Sequence, residues 1–144
     1  MALTDELKDF SLEVGLDLIR VTSAEYLSAA ERIKQQVQCG LWPEFNVNRI
    51  NAYCSPKIFL PSAKSVIVVA ESYLTSEPIP MSKPGEPRGS IARYTWRNYY
   101  YDVRSKLRII ADFLRKRTTE KLRFRCYSNG PLAEKPLAHH AGIG

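Results

Sequence analysis

A run of small and β-branched residues, Ser65–Ala70, constrains the fold of this chain more than any other feature. Continuous β-branched sequence is typical of a strand that is covered on both of its faces. Segments with helical periodicity precede and follow it, so the sequence predicts an α/β fold in which helices flank a small mixed or parallel sheet. We expect a single domain over residues 1–144, because a chain of this length can bury a core of its own.

Helical spacing or strand alternation of apolar residues predicts the other elements. Thr4 should cap the first helix, and residues 22–25 have the Thr-x-x-Glu form of a capping box for the second. Pro136 would disrupt a helix interior, so we expect the last helix to begin as a turn. The predicted elements are helices over residues 4–14, 22–37, 98–117 and 132–140, and strands over residues 16–21 and 122–127.

Two long stretches, residues 40–63 and 75–92, show no periodicity. Turn-forming residues interrupt both, among them Pro43, Asn46, Asn48 and Pro80. Connections of this length are uncommon and are often functional. We therefore expect the first stretch to be a binding loop or lid and the second to border a site.

The chain is basic, with 21 Lys and Arg against 15 Asp and Glu and a net charge of +6. Much of the excess lies between residues 104 and 125. A basic face of this kind attracts phosphate backbones or an anionic cofactor. A solvated helix face followed by a charged turn explains the same pattern, so charge alone does not identify the partner.

The sequence predicts a cytoplasmic protein. Its acidic amino terminus lacks the basic start and apolar run of a secretory signal, and no stretch of about 18 apolar residues is present to cross a membrane. Three cysteines, Cys39, Cys54 and Cys126, are odd in number and widely spaced. Reduced thiols are therefore expected, and not a disulfide framework.

Candidate metal ligands and nucleophiles give weak signals. His139 and His140 are adjacent, so their side chains point about 100° apart on a helix, and we predict no metal site there. Cys126 should be a small buried hydrophobe, and Cys54 is expected in an exposed loop.

The segment Ser128-Asn129-Gly130-Pro131 follows a predicted strand, where α/β folds place ligands. Asn, Gly and Pro also form simple turns, so a purely structural role explains the same residues. Glu134 and Lys135 come next. They either orient this turn, contact the amides of a cofactor, or form an exposed ion pair on a helix.

Arg93 and Tyr94 close the second aperiodic stretch, and Tyr99 and Tyr100 begin the long helix. The arginine fork can bind a phosphate or an amide carbonyl. Tyrosine rings can stack on a flat macrocycle or on nucleobases. The competing explanation is a surface arginine beside tyrosines that pack inward.

Three blocks of the sequence resemble the amino-terminal region of epoxyqueuosine reductases, the domain of unknown function 1730. Residues 60–70 read LPSAKSVIVVA and precede Tyr73; residues 89–94 read GSIARY, with RNYY following at 97–100; residues 128–138 read SNGPLAEKPLA, with AGIG closing the sequence. The blocks occur in the order and at the spacing of the family, and the resemblance covers nearly all of the chain.

The resemblance implies a cobalamin-binding domain distantly similar to that of reductive dehalogenases, with the cobalamin bound base-off. A downstream region would hold two [4Fe–4S] clusters, and the reduced cobalt would attack an epoxide on a modified queuosine of tRNA. It thus implies an oxidoreductase of queuosine biosynthesis and tRNA processing. On the family motif, the proton-donating Asp falls at Ser128, and the residues expected to contact the cofactor are Arg93, Tyr94, Tyr99, Tyr100, Asn129, Gly130, Pro131, Glu134 and Lys135.

The chain departs from the family pattern in three ways. It lacks the C-x-x-C-x-x-C-x-x-x-C-P runs that ligate clusters, so we expect a fragment or one half of a split system whose electron-donating part is elsewhere. Ser128 stands where the family has its proton-donating Asp, and a serine hydroxyl is a poor acid near neutral pH. This replacement argues against epoxyqueuosine as the substrate. The second block is one residue shorter than the family pattern between Arg93 and Arg97, and Asn98 and Tyr100 replace Asp and His.

Three functional hypotheses follow. The corrinoid-binding part of a reductase requires a concave site lined by residues 40–63, 89–101 and 128–135. A stand-alone RNA-binding module requires a basic face whose affinity falls steeply with salt. An inactive truncated relative would expose apolar surface near residues 137–144.

Overall fold

The computed structural model describes residues 2–25, 27–42, 49–74, 76, 78, 81–89 and 91–144. Tyr26 of the predicted second helix lies outside these ranges, as do Pro43, Asn46, Asn48, Pro80 and Ser90. The elements in chain order are α1 (Leu3–Glu13), β1 (Leu18–Ser23), α2 (Ala29–Gln38), α3 (Ile50–Tyr53), α4 (Pro56–Phe59), β2 (Ser65–Ala70), a 3₁₀ turn (Arg93–Thr95), α5 (Tyr99–Lys116) and α6 (Glu134–His140).

In the described residues, β1 and β2 form a two-stranded antiparallel sheet, so the prediction of a mixed or parallel sheet is wrong. Ser23 at the end of β1 pairs with Ser65 at the start of β2. Just beyond them, the Ala24 N–H donates to the Lys64 carbonyl at 3.2 Å. The helical connection thus starts and ends at the same end of the sheet, whereas a parallel pair requires a crossover to the opposite end.

Helices pack on both faces of β2, as its β-branched sequence predicts. Ile67 and Val69 pack against one apolar cluster, and Val66 and Val68 pack against the other. The cluster on the α1 and α5 side, called the α5 core below, contains Leu7, Leu16, Ile19, Ile110 and Leu114. The cluster on the α2, α3 and α6 side, the α6 core, contains Leu27, Ala30, Ile33, Ile50, Cys54, Ala133 and Leu137.

The predicted helix starts were wrong at α1 and α2. Residues 22 and 23 belong to β1, so they cannot form a capping box, and α2 begins at Ala29 after Ser28. Pairing with β2 holds both residues in an extended conformation, so Ser23 cannot form the first turn of a helix. At α1 the N-cap position is Ala2, whose carbonyl accepts from the Asp5 and Glu6 N–H groups, and Thr4 lies within the first turn.

The long helix α5 follows its sequence pattern closely. The Asn98 side chain accepts a hydrogen bond from the Tyr101 N–H at 3.2 Å and so caps its amino terminus. Ile110 and Leu114, four residues apart and so on one face of the helix, are buried in the α5 core. α6 begins at Glu134, which leaves Pro136 in the first turn, where a missing N–H removes no helical hydrogen bond.

Residues 122–127 were predicted as a strand, but in the described part of the chain they pair with no other strand. Their exposure still alternates: Leu122 and Phe124 are half-buried against the α5 core, and Arg123 and Arg125 are exposed. The segment has the period of a strand without a hydrogen-bonded neighbour.

Parts of the stretch predicted to be irregular are helical, since α3 and α4 lie within residues 40–63. Cys54, expected to be exposed, is fully buried because the turn after α3 packs into the α6 core. Cys126 is half-buried and Cys39 is exposed. No helix in the described ranges is long and apolar enough to cross a bilayer.

Candidate functional site

The turn at residues 128–131, called the 128–131 turn below, begins at a buried residue and continues at the surface. Ser128 is 8% exposed, and its carbonyl accepts a hydrogen bond from Arg104 Nη2 of α5 at 3.3 Å. Asn129 follows with φ of 52°, in the left-handed region that Asn tolerates better than most residues. Asn129 and Pro131 are exposed, whereas Ser128 is held to α5 by its hydrogen bond to Arg104.

Gly130 is required by close packing. A Cβ at this position would lie 2.6 Å from Tyr127 Cβ, which is closer than two carbon atoms can approach. Tyr127 is itself held edge-on by Phe59 of α4, with ring centroids 5.9 Å apart. The Gly130 N–H donates to Glu134 Oε1 at 3.1 Å, so Glu134 orients the 128–131 turn, one of the roles that the sequence left open.

The start of α6 is fixed to α3. The Ala133 N–H donates to the Tyr53 carbonyl at 2.8 Å, and Ala133 is fully buried. Burial raises the pKa of the Tyr53 phenol, and the nearby Glu134 carboxylate and Cys54 add to this effect. Burial also raises the pKa of the Cys54 thiol, against the opposing charge of Lys34. Tyr53 and Cys54 are consequently neutral at physiological pH.

A second group, the tyrosine cluster, consists of Tyr73, Tyr94 and Tyr99. Tyr73 follows β2, and its ring lies edge-on to Tyr94 at 6.1 Å and to Tyr99 at 6.4 Å between centroids. The Arg97 guanidinium lies 4.5 Å from the Tyr99 ring centroid, a cation–π contact. The predicted site residues Tyr94 and Tyr99 thus meet through Tyr73, which the sequence offered only as part of a family motif.

An ion-pair network supports this cluster and was not predicted from the sequence. The Glu71 side chain is 10% exposed, and its Oε2 atom lies 2.8 Å from Lys106 Nζ. The contact is an ion pair whose angles do not make a hydrogen bond to Oε2. Lys106 Nζ also donates to the Gly15 carbonyl at 2.7 Å, and Arg97 lies 3.6 Å from Glu71 Oε1. Glu71 and Lys106 are far apart in the sequence, so no local residue pattern could have predicted this ion pair.

The other predicted residues lie around these two groups. Arg93 is half-buried with its guanidinium over the Trp96 ring, at 5.0 Å from the centroid. Tyr100 is 48% exposed and lies one turn before Arg104, on the side of α5 that contacts the 128–131 turn. Lys135 is exposed at the start of α6. α5 therefore carries residues that contact both groups.

The described residues contain no group of three or more His, Cys, Asp and Glu side chains that could hold a metal ion. The cysteines lie on separate parts of the fold, and His139 Nδ1 lies 3.1 Å from the terminal Gly144 carbonyl. The carboxylates of Glu71 and Glu134 already contact Lys106 and the Gly130 N–H. The aromatic rings, arginines and neutral polar groups around them suit recognition of a polar or flat ligand more than metal ligation.

Comparison with known proteins identifies the family. The family model described as "Epoxyqueuosine reductase QueG, DUF1730" matches residues 54–129, just over half of the chain. The chain belongs to this family. The matched region runs from Cys54 through β2, the tyrosine cluster and α5 to Asn129.

Similar proteins agree with this membership. Epoxyqueuosine reductase from Bacillus subtilis is 32% identical over 99% of this chain, and the chain spans 38% of its length. A solved epoxyqueuosine reductase bound to an epoxyqueuosine-modified tRNA-Tyr stem loop has a TM-score of 0.84 and 30% identity, with 99% of this chain and 38% of that chain covered. A B. subtilis structure with its aspartate-bearing catalytic loop swung out of the active site has a TM-score of 0.85 and 32% identity over 99% of this chain and 38% of its own.

Proposed function

We propose that this chain is the corrinoid-binding part of an oxidoreductase similar to epoxyqueuosine reductase, acting in the cytoplasm on a modified tRNA. The family match over residues 54–129 carries the proposal. It is supported by a similar enzyme solved with an epoxyqueuosine-modified stem loop. Because the chain spans 38% of the length of such enzymes, the complete activity needs the remaining portion.

The residues of the 128–131 turn, the tyrosine cluster and the start of α5 fit a cobalamin in their chemistry. A corrin is a flat, largely apolar ring with neutral amide side chains at its edge. The exposed residues Tyr94, Tyr100 and Asn129 offer neutral hydrogen-bonding groups, and the tyrosine rings and Pro131 offer apolar surface. Tyr99, Arg93, Gly130, Glu134 and Lys135 would support this surface or bind amide carbonyls. When bound, the cobalamin would supply redox chemistry at its cobalt.

The fixed Ser128 limits what this chain contributes to a reaction. Its hydroxyl can donate a hydrogen bond to a substrate oxygen, and the Arg104 contact to its carbonyl keeps the residue in place. Serine is a poor acid near neutral pH, so the proton for an opening epoxide must come from another group. The serine at position 128 is as compatible with a family member that reduces a different substrate as with an epoxyqueuosine reductase.

The described residues do not fit an iron–sulfur cluster. Cys39 is exposed, Cys54 is buried in the α6 core and Cys126 is half-buried, so their thiols share no site. We therefore propose that the clusters belong to the portion that this chain does not span, and that tRNA and this electron-donating portion are the partners.

Titration of the chain with cob(II)alamin under anaerobic conditions, followed by EPR and visible spectra, tests the proposal. We expect saturable binding and a base-off spectrum. Tyr100→Ala should weaken binding by about 1–3 kcal/mol if its ring stacks on the corrin. Tyr101→Ala is the matched control, because the neighbouring ring is 66% exposed and points about 100° away on α5.

Absence of binding to the folded chain, or equal losses in Tyr100→Ala and Tyr101→Ala, would contradict the proposal. Salt-dependent binding of a tRNA stem loop without cobalamin binding would instead support the RNA-binding module.

A further inference from the structure

The segment of residues 121–127 has the sequence pattern of a strand but pairs with no strand in the part of the chain that the structure describes. Among the described residues, its backbone N–H and C=O groups make no hydrogen bond. Nearly all backbone polar groups of a folded protein are paired, and an unpaired strand edge is a template for another strand. Because Leu122 and Phe124 are anchored in the α5 core, the edge is fixed in position.

The β-sheet is incomplete in the same region. β2 has β1 as its neighbour and no second neighbour among the described residues. Ile67 and Val69 of β2 pack on the same α5 core as Leu122 and Phe124, yet no hydrogen bond joins the two segments in the described part of the chain. Two-stranded sheets are marginally stable, and a third strand would extend this one.

A basic groove runs beside the unpaired segment. It has a volume of about 430 Å³ and lies between α5 and residues 124–127. Arg108, Arg115 and Arg125 line it with Asp112. Arg115 pairs with Asp112 at 2.6 Å, whereas Arg108 and Arg125 form no ion pair with the residues described. The groove therefore complements a partner that carries negative charge.

We propose that residues 121–127 are the docking edge for a β-strand that bears acidic side chains and belongs to the portion of the enzyme that this chain does not span. The partner's backbone pairs with the free groups of the segment, and its carboxylates pair with Arg108 and Arg125. Family members more than twice as long as this chain contain the polypeptide to supply such a strand. The inference rests on family membership and backbone geometry and needs no corrinoid.

Amide exchange followed residue by residue by NMR tests this docking edge. The probe is the portion of the B. subtilis relative that lies outside the matched 38%, added to the 144-residue chain and also joined to it by a Gly-Ser linker. The linker raises the effective concentration, so weak affinity does not hide the contact. We expect every second amide of residues 121–127 to exchange at least about tenfold more slowly in the complex, because alternate N–H groups point to the same edge.

Charge reversal tests the acidic partner. Arg108→Glu should weaken association by about tenfold or more. Lys116→Glu is the matched control, since Lys116 is exposed on the same helix outside the groove, and it should change affinity by less than about twofold.

Four results would overturn the proposal. The first is that the two polypeptides do not associate even in the linked form, and the second is that they associate while amide exchange at residues 121–127 stays unchanged. The third is protection of these amides in the chain alone that disappears on dilution, which would report self-association. The fourth is protection of these amides by a tRNA stem loop but not by the polypeptide.

Discussion

Gly130 shows how a single residue sets the shape of the candidate site. Its lack of a side chain lets the 128–131 turn lie against Tyr127, and its N–H holds Glu134. This position tolerates no Cβ without movement of Tyr127, whose ring also packs on Phe59. The glycine therefore couples the exposed Asn129 and Pro131 to α4.

We expect Gly130→Ala to lower the free energy of unfolding by about 1–3 kcal/mol, because the added methyl group forces the Tyr127 side chain from its place. Urea unfolding measures the effect. Gly89→Ala is the control, since a Cβ there meets no atom within 4 Å, and it should leave stability nearly unchanged. Equal stability of Gly130→Ala and the wild type would show that the turn is free to move.

Local residue patterns made the 128–131 turn and the start of α5 predictable from the sequence, whereas the Asn98 cap is a finding of the structure. Asn129, Gly130 and Pro131 act within a few residues of one another, and Asn98 caps the helix that it precedes. Glu71 and Lys106 were missed because their pairing depends on packing between distant segments. Whether Ser128 and its neighbours contact a cofactor stays a prediction.

At the scale of elements, an ion pair joins the end of β2 to α5, the helix that also carries Tyr99 of the tyrosine cluster and Arg104, which contacts the 128–131 turn. Glu71 at the end of β2 pairs with Lys106 of α5, and Lys106 also holds the Gly15 carbonyl before β1. Three segments thus meet at one partly buried ion pair. Losing Glu71 leaves the Lys106 ammonium with the neutral Gly15 carbonyl and no carboxylate partner among the described residues.

Glu71→Gln should reduce stability by about 1–3 kcal/mol, because Lys106 loses its charged partner in a mostly buried place. Glu86→Gln is the matched control. Glu86 is exposed and lies 3.7 Å from Arg88, so its ion pair should contribute little. Chemical denaturation of both variants measures the difference, and an effect of Glu86→Gln as large as that of Glu71→Gln would contradict this account.

Element pairing also explains which secondary structure the sequence could not determine. The periodicity of apolar residues predicted β2 and α5 correctly, because the residues that a strand or helix buries recur at short, regular intervals in the sequence. The direction of β1 relative to β2 depends on the end of the sheet to which α2, α3 and α4 return the chain, and no local sequence pattern predicts which end that is. Residues 122–127 alternate as a strand does, but pairing requires a neighbour that the described chain does not contain.

At the scale of the whole molecule, three buried or half-buried acidic groups make stability depend on pH in the alkaline range. Burial is the largest cause that raises the pKa of Tyr53, Cys54 and Cys126. At Cys126, Arg108 and Arg115 oppose this effect and Asp112 adds to it. The folded chain therefore keeps these protons at a pH at which the unfolded chain has released them.

The sign of the dependence follows from proton linkage. Below the ordinary thiol pKa of 9.0 both states are protonated, and the contribution of these groups to stability is fully present. As pH rises above that value, the unfolded chain binds fewer protons than the folded one, so the free energy of unfolding falls until the folded thiols ionise as well. Urea unfolding from pH 7 to about 10 should show a flat region and then a decline. Cys54→Ala should flatten the decline, because it removes the fully buried thiol. A free energy of unfolding that stays flat over this range would show that the folded chain does not raise the pKa of these thiols, and one that rises would show that it lowers them.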